Sequence, residues 1–292
     1  MTGVTTDPPW LAPPGQPDPP ATQRSRRWLV AGLVGWIVVL LAVTYVSVRR
    51  DEPTVREQRS IEQAGPVVDR TLGDLVAAAG PDVVVELAER RLRTGCEITL
   101  FRSGAAIDAA ITVRAPEAEA PEVLDRIASR LPAAYQAGVR HRSDGAADAL
   151  RADAGQFVAV EGELVEPGVV RLTVQTGCRP TSGESEERTT SSPPPPTEED
   201  PVRVLTALGA TDLDPVDLIA VDCPGQGTAR TARSAGRGTS TGPPGAMLPR
   251  PVGTVVVTDT PEVYAYRTGA VSVVVESGDG RIRVATTTGC PA

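Results

Sequence analysis

The sequence predicts an α+β protein: one N-terminal transmembrane helix, then two tandem helix-plus-antiparallel-sheet units that read as copies of each other, each closed by its own disulfide. Three observations carry this. Residues 28–48 run without a charge. Two later stretches end alike, in VVRLTVQTGC and RIRVATTTGC, so that Arg171 and Arg283 each stand seven residues before the cysteine of a Thr-Gly-Cys. All four cysteines, Cys96, Cys178, Cys223 and Cys290, lie after the uncharged run.

Residues 1–27 hold seven prolines between Pro8 and Pro20 and no apolar periodicity, the composition of a disordered, solvated cytoplasmic tail. Trp10, inside DPPWLAPPGQPDPP, is its candidate interaction residue, because proline-rich strands dock in aromatic grooves at little ordering cost. Residues 28–48 follow as the transmembrane helix, since 21 residues at about 1.5 Å each span roughly the 30 Å of a bilayer core. Trp28 and Tyr45 sit near its ends, where amphipathic rings favour the interface, and arginines flank both sides. The run exceeds the 7–15 residues of a signal-peptide apolar region, and Val46-Ser47-Val48 is a poor cleavage site, so it reads as an uncleaved anchor.

Arginines on both flanks leave the orientation open. The cysteines choose it: their separations of 82, 45 and 67 fit no CxxC motif, and an even, widely spaced set suits disulfides in an oxidising compartment. The expected localisation is the plasma membrane, with the amino terminus cytoplasmic and the C-terminal part extracytoplasmic. Ala31 and Gly35 form a small-xxx-small pair that suits a weak homodimer of helices.

After a juxtamembrane segment, residues 49–63, the first unit is expected over 64–180. Val67, Leu72, Leu75 and Val76 predict a helix from Pro66 to Ala79, stopped at Gly80-Pro81. The apolar run from Asp82 leads to Cys96, and Pro121–Ala137 carries Val123, Leu124, Ile127, Leu131 and Tyr135 at helical spacing with Gly138 as its stop. A hairpin closes the unit, turning at Glu166-Pro167-Gly168. Residues 181–200 hold eight Ser or Thr, four consecutive Pro and six acids, the composition of an extended linker. The second unit, 201–292, repeats the order with a shorter helix from Pro201 to Leu208, an apolar run to Cys223, a Gly/Pro-rich loop, and a hairpin turning through Ser277-Gly278-Asp279-Gly280. Four cysteines allow three pairings, and the repeated pattern favours Cys96 with Cys178 and Cys223 with Cys290.

Composition limits the function. The chain has no Lys and no Asn, so N-glycosylation is excluded, and residues 51–292 carry 24 Arg against 35 carboxylates, so nucleic acid is not an expected partner. The lone His141, between Arg140 and Arg142, reads as a surface histidine whose neighbours favour its neutral form. Glu161 with Glu163 reads as the solvated face of a strand, and Asp212 with Asp214 as turn chemistry. No catalytic residue, metal ligand or cofactor site is expected. The function expected is that of a single-pass envelope protein whose extracytoplasmic tandem is a non-catalytic interaction or assembly module. Its candidate contacts are the hairpins of Arg171 and Arg283, the loop from Arg237 to Pro251, and the linker. The partners expected are the bilayer and another envelope or membrane protein; an ectodomain holding a small molecule or wall polymer between its units is the alternative, and an exported enzyme the third.

Overall fold

An uncharged apolar run satisfies its backbone polar groups most cheaply as a helix, and in the computed structural model α1 extends over Gln23–Arg50. Its stretch Trp28–Ser47 is long and apolar enough to cross a membrane, and every described side chain along it is exposed. The structure describes residues 23–50, 59–141, 148–181, 200–238, 243–248, 250 and 252–291. The chain divides into two units, one ending at Glu52 and the other beginning at Pro53. The second of these holds both sheets and both disulfides.

Helix α2 covers Ile61–Ala79 and starts inside the expected juxtamembrane segment, five residues ahead of Pro66. Two features pull its start forward: the Ser60 N–H donates to Gln63 Oε1 at 3.3 Å, and Ile61 and Ala64 are buried in the core. These contacts outweigh the hydrogen bond that Pro66 cannot make within the helix. The expected helix to Ala137 is also corrected. Helix α3 covers only Ala120–Arg130, because Pro132 disfavours helical backbone at the residue before it, and Leu131 is extended at ψ 151°. Leu131 and Tyr135 still reach the core, Tyr135 from a short 3-10 turn.

The first sheet contains β1 (Val84–Leu87), β2 (Arg91–Thr99), β3 (Arg102–Arg114), β4 (Gly138–Arg140), β5 (Ala149–Asp153), β6 (Ala159–Glu166) and β7 (Val169–Gln175). It is antiparallel, in the order β1-β3-β7-β6-β5-β4. Strands β1 and β2 share one edge of the long β3: Val84–Leu87 pair with its last residues and Arg91–Thr99 with its first. Helices α2 and α3 cover one face, meeting Ile111, Leu150, Val160, Leu172 and Val174.

Helix α4 (Pro201–Ala207), capped by Asp200 accepting from the Val202 N–H, opens the second piece. Strands β8 (Asp217–Asp222), β9 (Thr228–Arg237), β10 (Thr254–Asp259), β11 (Val263–Thr268), β12 (Val271–Gly278) and β13 (Arg281–Thr288) form the second sheet, in the order β10-β11-β12-β13-β9-β8. The expected Gly/Pro-rich loop contains a one-turn helix, α5 (Pro244–Met247), with Leu248 buried behind it. Helix α4 and Leu248 cover Tyr264, Tyr266, Val273, Val275, Ile282 and Val284 on one face of this sheet.

The two sheets follow one path. With β1 and β2 counted as a single edge, each runs, in strands numbered within its own piece, 1-2-6-5-4-3. Each begins with a helix, inserts its second helix between strands 2 and 3, and ends two or three residues before a disulfide-bonded cysteine. Cys96 joins Cys178, and Cys223 joins Cys290.

The pieces are not separate bodies on a spacer. The core under α2 and α3 takes in Val221, Cys223 and Ala229, with Ile219 and Cys290 at its margin. Helix α2 passes so close to the end of β8 that a Cβ on Gly73 would lie 1.9 Å from the Asp222 carbonyl oxygen. The linker that joins the pieces lies almost wholly outside the described residues.

Candidate functional site

A network of polar side chains lies at the seam between the sheets, and β1 builds it. An uninterrupted apolar run suits a strand buried on both faces; in β1, Val85 and Leu87 enter the first core, while Val84 meets Ala265, Val274 and Ala285 of the second sheet. β1 pairs with β3 along one edge only, so the amides of Val85 and Leu87 point away from it and need acceptors. They find Ser272 Oγ and Thr231 Oγ1, each at 3.1 Å, and the Thr231 hydroxyl lies 2.7 Å from that of Thr287.

Glu86 is the one charge in this strand. Arg283 reaches it with Nη1 2.6 Å from Oε1 and Nη2 3.3 Å from Oε2, and also meets Glu276 at 2.8 Å. Glu276 in turn takes Arg114 at 2.8 Å. Two cations and two anions thus alternate across the seam. Burial works to lower the Arg283 pKa, but Glu86 and then Glu276 outweigh it and hold the guanidinium above its ordinary value.

The expected interaction residues part company here. Arg283 is occupied by this internal contact and does not stand free on its hairpin. Arg171 holds the corresponding position on β7, opposite Thr112 and Glu163, and is exposed on the face of the first sheet away from α2 and α3. Glu161 and Glu163 share that solvated face, and Arg151 lies 3.5 Å from Glu161. Trp10 lies outside the described residues, as do parts of the loop from Arg237 to Pro251. In the described part of that loop, Gly245 packs so closely on Tyr264 that an added Cβ would lie 2.6 Å from its ring.

His141 stands at the surface with Nδ1 3.0 Å from Asp148 and Nε2 3.2 Å from Asp125. The hydrogen bond that Asp148 accepts and the charge of Asp125 raise its pKa, opposite to the expectation drawn from its arginine neighbours. Sequence neighbours mislead because β5 and α3 bring the carboxylates from elsewhere. Asp214 pairs with Arg281, and Asp212, at φ 48°, lies 3.9 Å from Arg237. Among the described residues no three His, Cys, Asp or Glu side chains gather as a metal site requires. An open groove of about 420 Å3 lies along β4, lined by Gln136, Arg140 and Arg151 among others, well away from the seam.

Sequence reasoning missed Glu86, Arg114, Glu276, Ser272 and Thr231. Glu86 carried a signal: a carboxylate inside DVVVEL must find a cation if the strand is buried. The hydroxyls carried none, since Thr and Ser are ordinary strand residues.

No protein-family model matches the chain, and no curated protein does. Among solved structures, it is similar to a DUF4853 family protein from Actinomyces odontolyticus, at 14% identity over 60% of this chain and 93% of that one, with a TM-score of 0.33.

Proposed function

We propose that this is a single-pass envelope protein, amino terminus cytoplasmic, whose extracytoplasmic body serves as a non-catalytic interaction or assembly module. The observation that carries the reading is an apolar helix of membrane-crossing length followed by a body with two disulfides. The second observation is how that body spends its charge. The seam between the sheets is filled by Val84, Ala265, Val274 and Ala285 and by the Glu86–Arg283 pair, which favours a rigid scaffold over a ligand held between the units. The exposure of Arg171, Glu161 and Glu163 supports the outer face of the first sheet as the contact surface for another envelope protein. The shared strand order and matching disulfides support reading the two pieces as copies of one ancestral unit, of which the second has turned its outer face onto β1. Ala31 and Gly35 support a weak homodimer through α1, to be tested by Gly35→Leu.

Cross-linking in cells followed by purification tests the module. A neighbouring envelope protein should be recovered with the native chain and lost with the charge reversals Arg171→Glu and Glu163→Arg. Membrane-sided labelling of single cysteines introduced on that face tests the orientation: labelling only from the cytoplasm overturns the reading.

A further inference from the structure

Outside α1 and its tail the protein has five aromatic residues, and it places them against the usual order. Tyr135, Tyr264 and Tyr266 are buried, whereas both phenylalanines, which carry no polar atom, are exposed: Phe101 is 65% accessible and Phe157 58%. Leu100, beside Phe101, is 88% accessible. Single apolar residues on a surface are ordinary, but large ones gathered at one end mark a contact.

These do gather. Leu100 and Phe101 form the tip of the β2–β3 hairpin, beyond the Thr99–Arg102 pair. A few residues down β3, a Cβ on Gly104 would lie 2.1 Å from the Arg179 carbonyl oxygen and 2.8 Å from Ile98, and the Ala105 N–H donates to that same carbonyl at 2.9 Å. The buried Arg179 side chain donates in turn to the carbonyls of Gln156, the neighbour of Phe157, and Arg59. Burial lowers its pKa, and these carbonyls receive the charge. Gln156 and Phe157 both hold left-handed backbone, at φ 55° and 60°. A bulky residue rarely adopts that conformation, so the turn holds an aromatic ring outward at a local cost.

Arg59 is where the chain enters the body. Eight residues, 51–58, separate it from the last residue of α1, and they span at most about 30 Å. The apolar end is thus the end tethered to the apolar helix. We infer that Leu100, Phe101 and Phe157 form a lipid-contacting tip that enters the interfacial layer of the bilayer carrying α1. This rests on the anchor reading of α1. Rings at such a tip lie about 5–10 Å into the headgroup and acyl boundary, where an apolar side chain gains from leaving water.

The test uses the full chain in phosphatidylcholine vesicles with acyl chains brominated or not. One variant keeps only Trp36 as its tryptophan and reports α1. Others replace Trp10, Trp28 and Trp36 with Phe and carry Phe101→Trp, Phe157→Trp or, on the exposed turn before β10, Val252→Trp. Brominated lipid should quench the emission of Phe101→Trp and Phe157→Trp, as for rings at the acyl boundary, and leave Val252→Trp unchanged. A quenched Trp36 with unquenched tip residues overturns the tip while leaving the anchor intact; an unquenched Trp36 overturns both. A photo-cross-linker at Phe101 that joins a membrane protein in cells, with no quenching in vesicles, assigns the tip to that protein instead. The double variant Leu100→Asp, Phe101→Asp should melt within about 2 °C of the native chain, as exposed substitutions do. A larger fall would mean the tip packs within the fold, and the proposal fails.

Discussion

A carboxylate in a buried strand is tolerable only if its charge is answered, and at Glu86 the answer comes from a residue 197 positions away. Removing one member leaves the other buried and underpaired. Glu86→Gln should therefore cost about 2–3 kcal/mol, less than a fully buried pair because Arg283 is partly exposed and keeps Glu276. Urea unfolding measures it, and adding Arg283→Met should cost less than the sum of the single changes, since both act on one network. Tyr135 gives a pH prediction. Its hydroxyl donates to Asp74 at 2.6 Å, and burial followed by that hydrogen bond pushes its pKa up to about 12. The fold thus favours the protonated phenol, whose pKa in the unfolded chain is about 10. That contribution is fully present below pH 10 and is lost as pH rises through 12. Urea midpoints measured from pH 8 to 11.5 should fall along the upper limb, and Tyr135→Phe should flatten that fall while losing about 1 kcal/mol at neutral pH.

At the scale of elements, α2 serves both pieces of the body, and its glycine sets how closely it meets the second. Gly73→Ala would place a methyl group 1.9 Å from the Asp222 carbonyl, on backbone that cannot swing aside. The helix and β8 must separate, which should destabilise the body by about 1–3 kcal/mol despite the better helix propensity of Ala; thermal unfolding checks it. Elements were readable from sequence where local chemistry alone determines them. The hairpins β6–β7 and β12–β13 show alternation and turns whose glycines, Gly168 at φ 77° and Gly280 at φ 72°, take positive dihedrals. Strands β4 and β5 were not readable, being only three and five residues long, and β10 lacks alternation in TVVVTD. The seam was hidden for a different reason. Periodicity reports that a face is buried and is silent about what buries it, so DVVVEL read as an apolar run and did not name Ala265, Val274 or Arg283.

For the whole molecule, the disulfides and the seam divide the work. Each disulfide closes a loop inside one piece, Cys96 to Cys178 and Cys223 to Cys290, so no covalent bond besides the chain itself holds the pieces together. That role falls to β1, to Glu86 with Arg283, and to the residues of β8 and β9 that enter the core beneath α2. A body built this way should unfold as one unit. Hydrogen exchange measured across a urea series should show β6–β7 and β12–β13 losing protection at the same concentration. Cutting the linker makes the point directly. With a protease site replacing Pro193–Pro196, the cleaved halves of the native body should elute together on size exclusion, because the seam needs no covalent link. Val84→Arg places an unpaired cation against Ala265 and Val274, a cost of several kcal/mol that falls on the seam alone. After cleavage this variant should release two fragments, each retaining its disulfide. If the native halves separate as readily as those of Val84→Arg, the seam is too weak to make one body, and the independent units joined by a spacer that the sequence suggests are the better account.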